Sequence, residues 1–123
     1  MPVSRSEDNP IFQINDASVT GLMSPGKGAT ECILYRVDVP PGGALPPHRH
    51  DHEDVFTVAR GSGTVHIDEE THDVGLDDTV VVPTGALHWV EAGQAGCTIV
   101  VTMLAGTLFI RDDGSSSVPP WGI

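Results

Sequence analysis

Cations, aromatic rings and cysteines are all scarce in this chain. Only 6 of its 123 residues are Lys or Arg, against 17 Asp or Glu, for a formal charge of −11. Charge of that sign repels the phosphate backbone of nucleic acids and an anionic membrane face, so neither is an expected partner. No apolar run approaches the roughly 20 residues a membrane-spanning helix needs. The N-terminal MPVSRSEDNP lacks the apolar centre of a secretory signal, and the expected location is cytoplasmic. The two cysteines, Cys32 and Cys97, lie in apolar strand-like runs. They have no zinc-finger spacing and are expected to be buried free thiols. Aromatic residues make up 5% of the chain.

Gly (14) and Pro (10) are plentiful, and they cut the chain into short runs rich in Val, Ile and Thr. The runs are 31–39, 55–59, 63–68, 79–82, 87–90, 97–104 and 107–110. Each has strand length and turn residues at its ends. Over 31–39 the apolar residues alternate, placing Ile33, Tyr35, Val37 and Val39 on one face. No segment sustains a helical period, so the expected class is all-β, antiparallel, with little or no helix. Residues 68–75 are expected to turn one strand into the next, and 83–86 (PTGA) form a Pro-x-Gly turn. The expected organisation is a flexible N-terminal arm over 1–9, one domain over 10–110, and a flexible C-terminal tail over 111–123. Trp121 is out of character for such a tail.

Six histidines are present, and three of them alternate in PPHRHDHED: His48, His50 and His52. Residues two apart on a strand share a face, roughly 6.6 Å apart along the backbone. His48 and His50 can therefore turn their rings toward one point, and a third ligand must come from another strand. His88, just after the Pro-x-Gly turn, is the candidate. Neutral imidazoles suit Fe, Zn, Mn, Ni or Cu, and the sequence does not choose among them. At ordinary histidine acidity such a site would release its metal below about pH 6. Nine acids lie between 51 and 78, where Arg60 is the only fixed cation; most are expected to form a solvated face.

The spacing around these histidines carries more. Gly42, five residues, His48-Arg49-His50, three residues, Asp54, six residues and Gly61 resemble the first motif of the cupins. Pro83-Thr84-Gly85-Ala86-Leu87-His88 resembles the core of the second. The likeness runs over about residues 30–105. It implies a small single-domain cupin of bacterial type, a double-stranded β-helix (jelly-roll) barrel holding one divalent transition metal ion. It further implies that His48, His50 and His88 are metal ligands, and that residue 54 stands where the family usually has a glutamate ligand. Asp54 is one methylene shorter, so it either binds the metal or, with Glu53, serves as a general base. His52 is a fourth candidate ligand. Asp77 and Ala92 replace a glycine and an asparagine of the second motif. By alternation Phe56, Val58 and Val90 are expected to line a substrate pocket. Trp89 should point away from it, and His66 and His72 should serve structural or surface roles.

The fold so implied hosts dioxygenases, cyclases, isomerases and proteins that only bind small molecules. The expected function is a metalloenzyme acting on an oxygenated organic molecule, by dioxygenase-type or Lewis-acid cyclase/isomerase chemistry. The alternative is a non-catalytic binding or sensor protein. The apolar segment Ile11, Phe12, Ile14 is a candidate to extend a partner's sheet, and a homodimer is expected.

Overall fold

The computed structural model describes residues 3–123, and it is built almost wholly of antiparallel strands. In chain order they are β1 (Ile11–Ile14), β2 (Ala17–Met23), β3 (Cys32–Val39), β4 (Arg49–His50), β5 (Asp54–Ile67), β6 (Glu70–Gly75), β7 (Thr79–Val82), β8 (His88–Leu104), β9 (Phe109–Ile110) and β10 (Ser116–Ser117). Three short 3-10 turns are the only helical pieces among the described residues. One sheet runs β1-β2-β3-β8-β5-β6, with β7 also on β5; a second runs β10-β9-β4. Together they form a double-stranded β-helix barrel. No helix among the described residues is long and apolar enough to cross a membrane.

The two-residue period of β3 decides where the core sits. Ile33, Tyr35, Val37 and Val39 face inward and are buried. They meet Phe56, Val58 and Val65 of β5 and Val90, Ile99 and Val101 of β8. Burying such side chains is the main favourable term holding a barrel of this size together.

The runs expected at 55–59 and 63–68 are one strand, β5, and those at 87–90 and 97–104 are one strand, β8. The glycines between them are bends rather than ends. Gly61 and Gly96 take positive φ (75° and 80°), and the β5 register slips on both sides of residue 61. These β-bulges let the ribbon fold from one wall of the barrel to the other. At Gly61 a Cβ would collide with the Gly96 carbonyl, so the two strands approach there as closely as backbone allows.

Other expectations are corrected. The turn expected over 68–75 is confined to Asp68 and Glu69, and 70–75 is β6, paired with β5. Asp68 makes this tight reversal with φ 51°. Of the run 107–110 only Phe109 and Ile110 are strand. β2 was not among the expected strands. Of the cysteines, Cys97 is buried but Cys32 is exposed, and both are free. Of the N-terminal arm, residues 1 and 2 lie outside the described residues, while Ser6–Asp8 form a 3-10 turn with no buried residue. The C-terminal segment is docked rather than loose. β10 pairs with β9, the Gly26 N–H donates to the Ile123 carbonyl (2.9 Å), and Trp121 is 6% exposed. The apolar segment β1 pairs with the chain's own β2.

Candidate metal centre

Three backbone ties assemble this site. The His48 and His88 backbones exchange two hydrogen bonds, N–H to carbonyl, at 3.1 and 3.0 Å. This bridge joins the proline-rich segment after β3 to the start of β8. The Gly85 N–H donates to the His50 carbonyl (2.9 Å), and Arg49 Nη1 donates to the Gly85 carbonyl (2.7 Å). The Pro-x-Gly turn is thereby fixed against β4, and His88 follows it onto β8. Asp68 grips the same place from the other side, accepting the Leu87 N–H on Oδ1 (3.0 Å).

The rings of His48, His50 and His88 meet inside the barrel, each offering a nitrogen within 4.8 Å of the others. His48 Nδ1 lies 2.9 Å from the Pro46 carbonyl, and His88 Nδ1 lies 2.9 Å from the Ala86 carbonyl. A carbonyl only accepts, so Nδ1 is the protonated nitrogen in both and Nε2 keeps a free lone pair. His48 Nε2 and His50 Nε2 are 3.1 Å apart. Phe109 packs on the cluster, stacked on His48 (4.9 Å between ring centres) and edge-on to His50 (4.2 Å). Asp51 holds that aromatic in place by accepting the Leu108 N–H on Oδ1 (2.8 Å).

Burial sets the protonation of the cluster. It lowers His48 to about 4, helped by repulsion from His88 and opposed by the Pro46 carbonyl. It lowers His50 to about 3, helped by His48 and His88 and opposed by the Leu108 backbone and Asp51. Burial also lowers His88. The three rings are neutral at physiological pH, the form a metal requires.

Asp54 stands beside them. Its Oδ2 is 3.3 Å from His50 Nε2 and 3.9 Å from His88 Nε2, and its Oδ1 is buried with no hydrogen-bond partner. Burial raises this carboxyl to about 7, with a smaller push from Glu53. The donor set fits a divalent transition metal: convergent neutral imidazoles, with a buried carboxyl that has hydrogen-bonding capacity to spare.

The remaining sequence candidates lie apart. His52 is exposed, its Nδ1 3.0 Å from Asp51 Oδ1, and it does not join the cluster. Glu53 is exposed and turned away. His66 lies on the outer face, stacked on Trp89 (4.3 Å) with its Nε2 2.9 Å from Glu91 Oε1. His72 is exposed near Glu70.

A cavity of about 520 Å³ opens onto the cluster, with His48, His88 and Asp54 in its wall. Phe56 and Val90 are in its wall. Val58 is not; it is sealed in the core with no exposed surface. The rest of the wall includes groups that sequence reasoning missed: Tyr35, Phe109, Arg111 and Trp121. Trp121 packs on Tyr35 (5.7 Å) and Phe109 (5.5 Å). Burial, with the charge of Asp54, raises the Tyr35 phenol well above its ordinary value, so it keeps its proton.

A sequence model of the cupin domain matches residues 35–104. The acireductone dioxygenase of Granulibacter bethesdensis is 33% identical over 78 residues, which are 56% of this chain and 44% of that protein. The dimethylsulfoniopropionate lyase DddW of Ruegeria pomeroyi is 32% identical over 66 residues, 54% of this chain and 43% of that protein. The chain thus spans less than half the length of these curated relatives. Among solved structures, the polyketide cyclase RemF of Streptomyces resistomycificus superposes with a TM-score of 0.74 at 22% identity, covering 93% of this chain and 89% of that one. An RmlC-like cupin from Shewanella frigidimarina also gives 0.74, at 20% identity, over 92% of this chain and 95% of that one. At such identities the likeness concerns the fold.

Proposed function

The chain belongs to the cupin family, and from that premise we propose that it is a metal-dependent enzyme acting on a small oxygenated organic molecule. His48, His50 and His88 hold the metal, one divalent ion per chain. The observation that carries this reading is the convergence of three neutral imidazoles, two buried and one half-buried, beside an apolar cavity. When bound, the metal supplies Lewis acidity toward a carbonyl or enolate oxygen and, if redox-active, the electrons that dioxygen chemistry needs.

The chain's own groups do the rest. The Nδ1–H bonds of His48 and His88 to their own backbone fix both rings before anything binds. Asp54 is the acid–base group. A buried carboxyl beside the histidine cluster is placed to take a proton from a substrate carbon or hydroxyl and to return it. Its unpartnered Oδ1 is the atom free to do so. Tyr35, Phe56 and Phe109 keep water out and orient a flat, apolar molecule.

Dioxygenase and Lewis-acid cyclase/isomerase chemistry both suit this arrangement, and the relatives include a protein of each kind. The test is elemental analysis of the purified protein, followed by oxygen-uptake measurements with enol and catechol compounds. A redox-active metal with substrate-dependent uptake supports the dioxygenase form. Zinc without uptake supports the cyclase/isomerase form. Absence of stoichiometric metal overturns the reading in favour of a non-catalytic binding or sensor protein. A cytoplasmic location and a homodimer belong to the same proposal. β1 is the edge strand of its sheet and leaves Ile11 65% exposed, and sedimentation equilibrium tests the dimer.

A further inference from the structure

The cavity wall is mostly apolar, and Arg111 is its one fixed cation among the described residues. The whole chain has only 6 Lys and Arg against 17 Asp and Glu, so a cation on that wall stands out. Arg111 lies beyond residue 104, where the match to the cupin domain ends. The common barrel supplies the histidines, whereas this chain's own C-terminal segment supplies the cation.

Local structure holds Arg111 in place. Its N–H donates to the Ser115 carbonyl (2.9 Å) and its carbonyl receives the Gly114 N–H (2.9 Å), which carries the β9–β10 pairing one step further. Phe109 and Arg111 are two apart on this extended segment and share a face, roughly 6.6 Å apart along the backbone. Both line the cavity, and Ile110 between them does not. Arg111 Nη2 donates to Ser117 Oγ (2.7 Å), and Ser117 is the cross-strand partner of Phe109. The guanidinium therefore folds back along the hairpin toward Phe109, whose ring stacks on His48. Arg111 is also exposed, so a ligand can reach it at the cavity mouth. Among the described residues no carboxylate forms an ion pair with it, whereas Arg36 is paired with Asp38. The Asp113 carboxylate feels its charge but accepts the Ser115 N–H instead (2.8 Å). The guanidinium thus keeps N–H donors beyond the one that Ser117 accepts, in the planar fork that suits a carboxylate.

We propose that Arg111 is a specificity residue that pairs with the carboxylate of an anionic substrate, whose oxygens at the other end face the histidine cluster and whose apolar body lies along Phe109. This names the substrate class of the proposed metal site and rests on that reading for the histidine end alone. A singly charged anion fits best. One guanidinium balances one carboxylate, while Asp54 at the histidine end and the chain's charge of −11 oppose a second negative group. The net charge repels any anion at long range, so the selectivity comes from the short-range pair and not from steering.

The experiment measures binding by calorimetry under argon at neutral pH, with the protein as purified. The probes are 3,4-dihydroxyphenylacetate and its neutral amide, 3,4-dihydroxyphenylacetamide. The two have nearly the same shape, and the methylene insulates the catechol from the change of charge. Native protein is expected to bind the acid more tightly. Arg111→Gln should weaken the acid about five- to tenfold and the amide less than about twofold, as for a charge-assisted pair at a partly solvated site. Circular dichroism and melting establish that the variant is folded; Arg111→Met, which keeps the apolar stem, takes its place if it is not. Equal losses for the two probes, as a merely structural Arg111 would give, overturn the proposal. So does no loss for either, as a carboxylate bound at the histidine end would give, and so does a native protein that binds the acid no more tightly than the amide. Elemental analysis of the same samples and of His50→Ala reads the histidine end separately. An Arg111-dependent preference for the acid in protein without stoichiometric metal ends the metal reading and leaves the anion subsite standing. Stoichiometric metal, lost in His50→Ala, without an Arg111-dependent preference does the reverse.

Discussion

His88 Nε2 and Asp54 Oδ2 lie 3.9 Å apart, although the two residues sit at opposite ends of one two-stranded ribbon. Asp54 opens β5 and pairs with Met103, near the end of β8; His88 opens β8 and pairs with Ile67, at the end of β5. Laid flat, a ribbon of that length would separate them by roughly 40 Å. The fold at Gly61 and Gly96 brings the ends onto facing walls of the barrel. The carboxyl and the imidazoles meet because the sheet is bent, and local spacing accounts only for His48 with His50.

Metal content should follow the imidazoles individually. His50→Ala is expected to lower bound metal from about one per chain to below a tenth, because two remaining rings make a much weaker site. Its far-UV circular dichroism should stay native, since the β5–β8 ribbon does not depend on that ring. Elemental analysis of the dialysed variant makes the check, and full retention of metal would remove His50 from the site.

Acid should act later than ordinary histidine behaviour implies. The native pKa values of His48 and His50, about 4 and about 3, are depressed below the unfolded value of about 6.5. The stability these groups contribute is therefore present above pH 6.5 and lost as pH falls toward 4 and 3. In metal-free protein, NMR signals of these two rings should not titrate between pH 8 and 5. Bound metal should persist at pH 5.5, below the limit expected from unperturbed histidines. A ring titration midpoint near 6.5 would contradict the burial argument.

Asp54 works in the opposite direction. Its native pKa of about 7 is raised above the ordinary aspartate value of about 3.9. The metal-free fold gains most from this group at low pH and loses that contribution as pH rises through 7. Asp54→Asn has nearly the same shape and cannot ionise. It should match the native protein near pH 4.5 and exceed it by on the order of 2 kcal/mol at pH 8.5. Urea midpoints of metal-free protein at the two pH values provide the measurement. In the metal-loaded protein the same substitution should abolish turnover while leaving His48, His50 and His88 to bind metal.

The histidine core of the site was legible because it is written in short-range spacing. His48 and His50 are two apart on an extended segment, and His88 follows a turn whose Pro83 and Gly85 announce themselves. The inward face of β3 was legible for the same reason. The wall around the histidines was not. Trp121 follows Ser, Val and Pro residues that have no period of their own, and only docking against Phe12, Tyr35 and Phe109 gives it a place. β2 was missed because Ser18, Thr20 and Gly21 interrupt its apolar residues; Thr20 is buried all the same. Glycines in β5 and β8 read as strand ends, because a bulge that bends a strand and a turn that ends one draw on the same residue type.

The bend itself is open to test at Gly61. Its φ of 75° disfavours any side chain, and a Cβ there would run into the Gly96 carbonyl of the facing strand. Neither backbone can retreat without shifting the register that joins β5 to β8. Gly61→Ala should cost about 3 kcal/mol or more. Because the bend also sets the distance from Asp54 to His88, any folded fraction should bind metal less tightly than the native protein. Gly75→Ala supplies the control: a Cβ at that position meets nothing within 4 Å and φ is not positive, so its stability should stay within about 0.5 kcal/mol of native. Chemical denaturation of the two variants side by side decides the matter. Equal stability would mean that the ribbon bends by some means other than the close approach at Gly61.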